Sequence, residues 1–426
     1  MLLIFFGALI DKLIRVTLSM AIIPISKETH WDEATQGLVL AAFFIGYSIL
    51  QVFASNLGKR YGFRLVFGIG LAGGCPFVIF FPFVVHYVPL AVLMQVGCGL
   101  FHSVLYPCVY QMFTVWFPKF EMSKAIGVMG CGGITGMIIS WSLSSKIIET
   151  LGWPSLFYIV GGVGLIWLVP WLLFTLESPD DKANVSCFTP SDEEIQFIKS
   201  HQDVVVDDPH FSVPWIRILT CWPFIVLTIN QFTANWIYYI FMSWSPIYYQ
   251  ARFNPPLEEV GIYSLIPMPL YMFLLLFSGF LADFLSRKGI LSVRSIRRLF
   301  QSLALGIPVV SFFLLASLGN TLSLPVTIFL VTLALGSLGF GAGGKDSNYL
   351  DLTTKYSAAL FAIANVVGSI PGIIGVYLTG FILEETGDDW GVVFYLSGGL
   401  AVVAFVLFLI FVRTDIVDFD KEEEEY

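Results

Sequence analysis

Long apolar runs alternate with short polar connections along almost the whole chain. Twelve such runs fall at 1–25, 34–55, 65–86, 89–113, 122–144, 154–176, 216–247, 258–284, 296–317, 322–346, 357–381 and 390–413. About twenty apolar residues span the ~30 Å hydrocarbon layer of a bilayer as a helix, which satisfies its own backbone hydrogen bonds there. Six runs precede a polar insert and six follow it. The pattern predicts an all-α membrane protein with 12 transmembrane helices in two six-helix bundles. The bundles cover 1–176 and 216–413, joined by an acidic linker at 177–215 and followed by an acidic tail at 414–426.

The polar connections give an orientation. Loops after the second, fourth, eighth and tenth runs hold eleven basic residues: Lys59, Arg60, Arg64, Lys119, Lys124, Arg287, Lys288, Arg294, Arg297, Arg298 and Lys355. The opposite loops hold three, Lys27, Lys146 and Arg252. The positive-inside rule puts the basic set in the cytoplasm, and with it both termini and the linker. The glycosylation-like Asn184-Val185-Ser186 then lies on the wrong side to be used. Which membrane holds the chain stays open.

Composition agrees. Hydrophobic residues make up 57% and charged residues 12%, against about 25% charged in a soluble domain. The net charge of −9 resides mostly in the linker (Glu177, Asp180, Asp181, Asp192, Glu193, Glu194, Asp203, Asp207 and Asp208) and the tail. Such runs read as solvated segments, with no nucleic-acid partner implied. The six cysteines include no C-x-x-C pair, and no cofactor or metal is expected. The first run carries Asp11, Lys12 and Arg15, so it reads as a retained helix and not a cleaved signal.

A faint internal repeat follows the second run of each half. Ser55-Asn56-Leu57-Gly58-Lys59-Arg60-Tyr61-Gly62-Phe63-Arg64 matches Gly279-Phe280-Leu281-Ala282-Asp283-Phe284-Leu285-Ser286-Arg287-Lys288 in its small residues, leucine and closing base, 279 − 55 = 224 positions apart. Parallel six-helix repeats with this short basic loop resemble the major facilitator superfamily. Longer stretches resemble its anion:cation symporter family, the group of sialin, the vesicular glutamate transporters and the type I sodium–phosphate cotransporters. They are Gly37 to Tyr47 with Gln51; Trp116-Phe117-Pro118 with Ser123-Lys124; Gly152-Trp153-Pro154-Ser155-Leu156-Phe157-Tyr158; Pro214-Trp215, Asn235-Trp236 and Trp244; and Asn348-Tyr349-Leu350-Asp351 with Lys355-Tyr356.

The resemblance implies a central cavity lined by the first, fourth, seventh and tenth helices. The polar residues inside the runs collect on those same four, and charge within a span marks a cavity or a partner. Arg15 stands where the family carries its substrate-side arginine, and a guanidinium suits bidentate capture of carboxylate or phosphate. Asp11, four residues earlier, shares its helix face and is available as a partner. His102 replaces a proton-coupling glutamate common in relatives, and histidine chemistry can carry a proton between pH 5 and 8. Gln95 and Ala234 stand where relatives often carry further arginines, while Lys345 can restore that charge from the tenth helix. Lys345 and Asp346 are adjacent, so they do not share a helix face unless the glycines before them distort the backbone.

The reading is a secondary active transporter of small organic or inorganic anions by alternating access, coupled to protons or sodium. Arg15 and Lys345 bind the anion, with Tyr106, Asn235, Tyr238 and Asn348 orienting it. His102, Asp11 and Asp346 are the ion-coupling candidates. Lys59, Arg60, Arg64, Asp283, Arg287 and Arg298 are assigned to gating. Its partners are a small anionic solute, a coupling proton or sodium ion, and the lipid bilayer. The sequence contains no G-x-x-x-x-G-K-[ST] loop, so existing gradients would drive it, and no nucleophile–base pair suggests an enzyme. Loss of the fourth-helix carboxylate leaves an alternative, an uncoupled facilitator or channel-like anion uniporter.

Overall fold

The computed structural model describes residues 1–51, 53–117, 119–179, 191–201, 214–353 and 356–417. Lys355, the Asn184 sequon, much of the linker and most of the tail lie outside the described residues, as do the side chains of Lys119 and Lys124.

The described chain is helical. Its first six passes are α1 (Leu2–Thr29), α2 (Glu33–Gln51), α4 (Phe63–Val84), the pair α5 (Val88–His102) and α6 (Leu105–Trp116), α7 (Lys119–Leu151) and α8 (Trp153–Phe174). Short α3 (Ala54–Tyr61) covers the connection from α2 to α4, and α9 (Asp192–His201) and α10 (Trp215–Thr220) lie between the two sets of six. The second set is α11 (Trp222–Phe253), the pair α12 (Leu257–Leu265) and α13 (Pro267–Arg287), α14 (Val293–Leu318), α15 (Leu324–Gly336) continuing into α16 (Lys345–Leu352), α17 (Ser357–Thr386) and α18 (Trp390–Phe411).

Local chemistry explains the breaks. Pro107 has no N–H to offer the preceding turn, so the fourth pass restarts at Leu105 with proline inside its first turn, where the ring is tolerated. Pro267 opens α13 in the same way. In the tenth pass, α15 tightens into a 3-10 turn over Ser337–Ala342, then crosses Gly343 and Gly344 before α16 begins. Gly344 has φ −95° and ψ −104°, outside the helical region.

Ten of the passes are long and apolar enough to cross a membrane. The two that fall outside this set, α1 and α11, carry Asp11, Lys12 and Arg15, and Asn230, Gln231 and Asn235. Chain contacts divide the protein into two compact units, Met1–Val206 with Met242–Leu265, and Asp207–Phe241 with Ile266–Tyr426. In the first unit α1 packs along α7, α2 along α5, and α4 between α5 and α8. The α2–α5 approach is backbone to backbone: a Cβ on Gly99 would lie 1.9 Å from the Phe43 carbonyl oxygen. Small residues permit such contact, which replaces the absent hydrophobic drive between helices in lipid. The α12 segment packs on α7 within this unit. In the second unit α14 packs along α18, and a cluster including Phe224, Leu227, Tyr349, Leu352, Leu360 and Phe408 forms an apolar core.

Candidate functional site

Charge lies deep inside the first unit. Asp11 is 2% exposed and His102 is fully buried. Nδ1 of His102 lies 2.8 Å from Oδ1 of Asp11, while Nζ of Lys12 sits 3.5 Å from the other carboxylate oxygen. A neutral His102 donating from Nδ1 satisfies this contact, leaving Nε2 buried against Gly74 of α4 with no hydrogen bond. The Lys12 ammonium also lies 4.9 Å from the Tyr106 ring centre, which brings Tyr106 into the cluster. Arg15, one turn along α1, lies over three rings of α2: 4.5 Å from Phe44, 5.1 Å from Tyr47 and 5.2 Å from Phe43. Aromatic faces offset part of the cost of keeping a guanidinium in low dielectric. Asp11 therefore reaches across to α5 and to its own neighbour, beyond the same-helix partner that its spacing from Arg15 offers.

The second unit carries a polar network on α11, α14 and α16. Lys345 is 7% exposed and turned inward, not toward water. Its Nζ donates to Oε1 of Gln231 at 2.6 Å and to Oδ1 of Asp346 at 2.5 Å. The glycine break makes the adjacent pair possible: Lys345 opens α16, immediately after the non-helical Gly344. Its backbone N–H donates to Gln301, whose amide donates to Oδ1 of Asn230, itself bonded to backbone carbonyls of Val226 and Ala404. Bidentate Arg297–Asp351 bonds of 2.7 and 3.0 Å, with a third to the Gly343 carbonyl, fasten α16 to α14.

The remaining expected residues divide. Tyr238 is half-buried against Tyr239 and Tyr271, with ring centres 5.8 and 5.9 Å away. The amide nitrogens of Asn235 and Asn348 donate to backbone carbonyls, at Gly368 (2.7 Å) and Arg413 (2.8 Å), and Asn348 also bonds Asp351. Both asparagines brace helices. Lys12 and Gln231 belong to the clusters and were not singled out as site residues from sequence. An ionised side chain within a span was the signal for Lys12, whereas nothing local marked Gln231.

Of the residues assigned to gating, Lys59, Arg60, Asp283 and Arg287 are exposed. Arg64 is instead held in a clasp at the end of α8. Its Nε donates to Thr175 at 3.2 Å, and Nη2 donates to the Leu172 carbonyl. The Glu177 carboxylate accepts the first backbone N–H groups of α4, from Phe63 at 2.5 Å and Arg64 at 3.0 Å. A carboxylate at a helix N-terminus satisfies free donors and complements the helix dipole. Gly62, at φ +90°, admits it: a Cβ there would sit 2.9 Å from a Glu177 oxygen.

The family model described as Major Facilitator Superfamily matches residues 4–376. A chloroplastic ascorbate transporter of Arabidopsis thaliana is 29% identical over 415 residues, covering 96% of this chain and 74% of that protein. Vesicular glutamate transporter 3 of Danio rerio is 28% identical over 408 residues, covering 92% of this chain and 66% of its own length. The crystal structure of a D-xylose-proton symporter superposes with a TM-score of 0.72 at 13% identity, covering 97% of each chain, and so shares the fold.

Proposed function

The chain belongs to the Major Facilitator Superfamily, and from that premise we propose that it is a secondary active transporter of small anions working by alternating access. One observation supports this most: cationic side chains stand inside otherwise apolar passes of both units, Lys12 and Arg15 on α1 and Lys345 on α16. Placing ammonium and guanidinium groups there is costly unless a counter-charge visits. The similar proteins named for ascorbate and glutamate share that chemistry, a compact organic anion.

In this reading Arg15 and Lys345 grip the anion, with Lys12 added to them and Tyr106 and Tyr238 setting its orientation. Asn235 and Asn348, each bonded to a backbone carbonyl, orient it from the helices they brace. The Asp11–His102 pair and Asp346 carry the coupling proton or sodium ion. Lys59, Arg60, Arg64, Asp283, Arg287 and Arg298 act in gating, at the end where the basic loops and both termini face the cytoplasm.

Uptake of an anion panel into proteoliposomes, with proton and sodium gradients imposed separately, tests the proposal. The expected result is saturable anion uptake accelerated by one gradient. Saturable uptake indifferent to both would favour the uncoupled facilitator, and no anion uptake from the panel would overturn the substrate class.

A further inference from the structure

Beside the Arg297–Asp351–Asn348 contacts, the second unit opens a cavity of about 760 Å³ where three helix ends converge. Trp222 lies at the start of α11, Arg294 and Arg298 one turn apart at the start of α14, and Ile410, Arg413 and Asp415 at and beyond the end of α18. Three arginines and one carboxylate thus line it, and that carboxylate is already 2.9 Å from Arg294. Nε of Arg298 is buried without a hydrogen bond, a donor whose desolvation is left uncompensated. The cavity asks for an anion.

The rim says what kind. Trp222 is 47% and Ile410 60% exposed, and the neighbouring α10 exposes Trp215, Ile216 and Leu219 while burying Ile218. Tryptophans and aliphatic side chains left bare beside arginines, at the ends of bilayer-crossing helices, match the headgroup–acyl boundary. A soluble anion uses the arginines alone, whereas a phospholipid uses the arginines for its phosphate and the apolar rim for its chains.

We propose that this cavity binds the phosphate of an anionic phospholipid, whose acyl chains lie along Trp222 and Ile410.

The test is lipid retention by the purified full chain, read by native mass spectrometry after exchange into mixed phosphatidylglycerol and phosphatidylcholine. Wild type is expected to retain the anionic lipid at least tenfold over the zwitterionic one. Arg298→Gln with Arg413→Gln should abolish that preference, while Lys288→Gln, an exposed base on the preceding loop, should keep it. Inorganic phosphate at millimolar concentration should not displace the lipid.

A second readout needs no arginine variant and so survives a folding failure. Quenching by bromolipids should be stronger for brominated phosphatidylglycerol than for brominated phosphatidylcholine in wild type, and Trp222→Phe should remove the difference. No anionic preference, retention that appears only after residues 418–426 are removed, or displacement by inorganic phosphate alone would each overturn the proposal.

Discussion

Arg15 illustrates how a single side chain is set up for more than charge. Its guanidinium lies over Phe43, Phe44 and Tyr47 of α2, a contact that favours a planar group. Arg15→Lys should keep the melting temperature within a few degrees yet lower uptake at subsaturating anion at least tenfold. Normal uptake by the lysine variant would make Arg15 a generic cation. The Asp11–His102 contact makes a different demand. Removing the donor to a buried carboxylate leaves it under-satisfied, at a cost of ~1–3 kcal/mol or more for a charged acceptor, and neutralising the carboxylate relieves much of that. His102→Ala should therefore melt lower than His102→Ala with Asp11→Asn, and both should lose acceleration by the coupling gradient. A single variant that keeps gradient-driven uptake would exclude the pair from coupling. The charged and polar residues were legible in the sequence because each breaks an apolar run. Their partners were not: His102 meets Asp11 from 91 positions away and Lys345 meets Gln231 from 114. Helical spacing carries no record of such distances.

At the level of elements, the tenth pass depends on how its broken helix is restarted. Arg297 ties Asp351 and the Gly343 carbonyl together, so it sets the position from which Lys345 projects. Arg297→Lys keeps the charge but loses the fork, and should lower the melting temperature by several degrees while raising the KM for the anion. An unchanged KM would show that α16 holds its place without the clasp. The Glu177 contact with α4 lies beside Arg64, which we assign to gating. Glu177→Gln removes a charge–dipole interaction worth roughly 0.3–1 kcal/mol at an exposed terminus. It and Arg64→Gln should both slow turnover with substrate affinity within a few-fold of wild type. A large affinity loss at normal turnover would contradict a gating role. The glycines before Lys345 marked one of these irregular places in advance. The run at 322–346 nonetheless ends two residues into α16, which extends to Leu352, because its polar residues end the hydropathy signal before the helix ends.

For the whole molecule, twelve passes were readable because hydropathy repeats at the thickness of a bilayer, an external ruler that soluble folds lack. The contact grouping was not readable: residues 242–265 join the first unit, and hydropathy is blind to which neighbour a helix chooses. There a Cβ on Gly261 of α12 would lie 2.4 Å from the Trp141 carbonyl oxygen of α7. Gly261→Leu should hold these helices apart, seen as faster thiol labelling of a cysteine placed at Ser264, and equal labelling would rule out that contact as a seal. The buried clusters also have an electrical consequence. With His102 neutral, Asp11, Lys12 and Arg15 sum to one positive charge, whereas Lys345 and Asp346 cancel. Where the anion travels alone, as in the uncoupled alternative, a bound monoanion would neutralise that charge, so the loaded site would cross the field nearly uncharged and the empty one would not. Each charge moved through 100 mV is worth ~2.3 kcal/mol, scaled by the fraction of the field traversed. Membrane voltage would then govern the return of the empty carrier and leave delivery of its cargo almost untouched, so the protein would idle at one face or the other according to the polarity of the membrane it occupies.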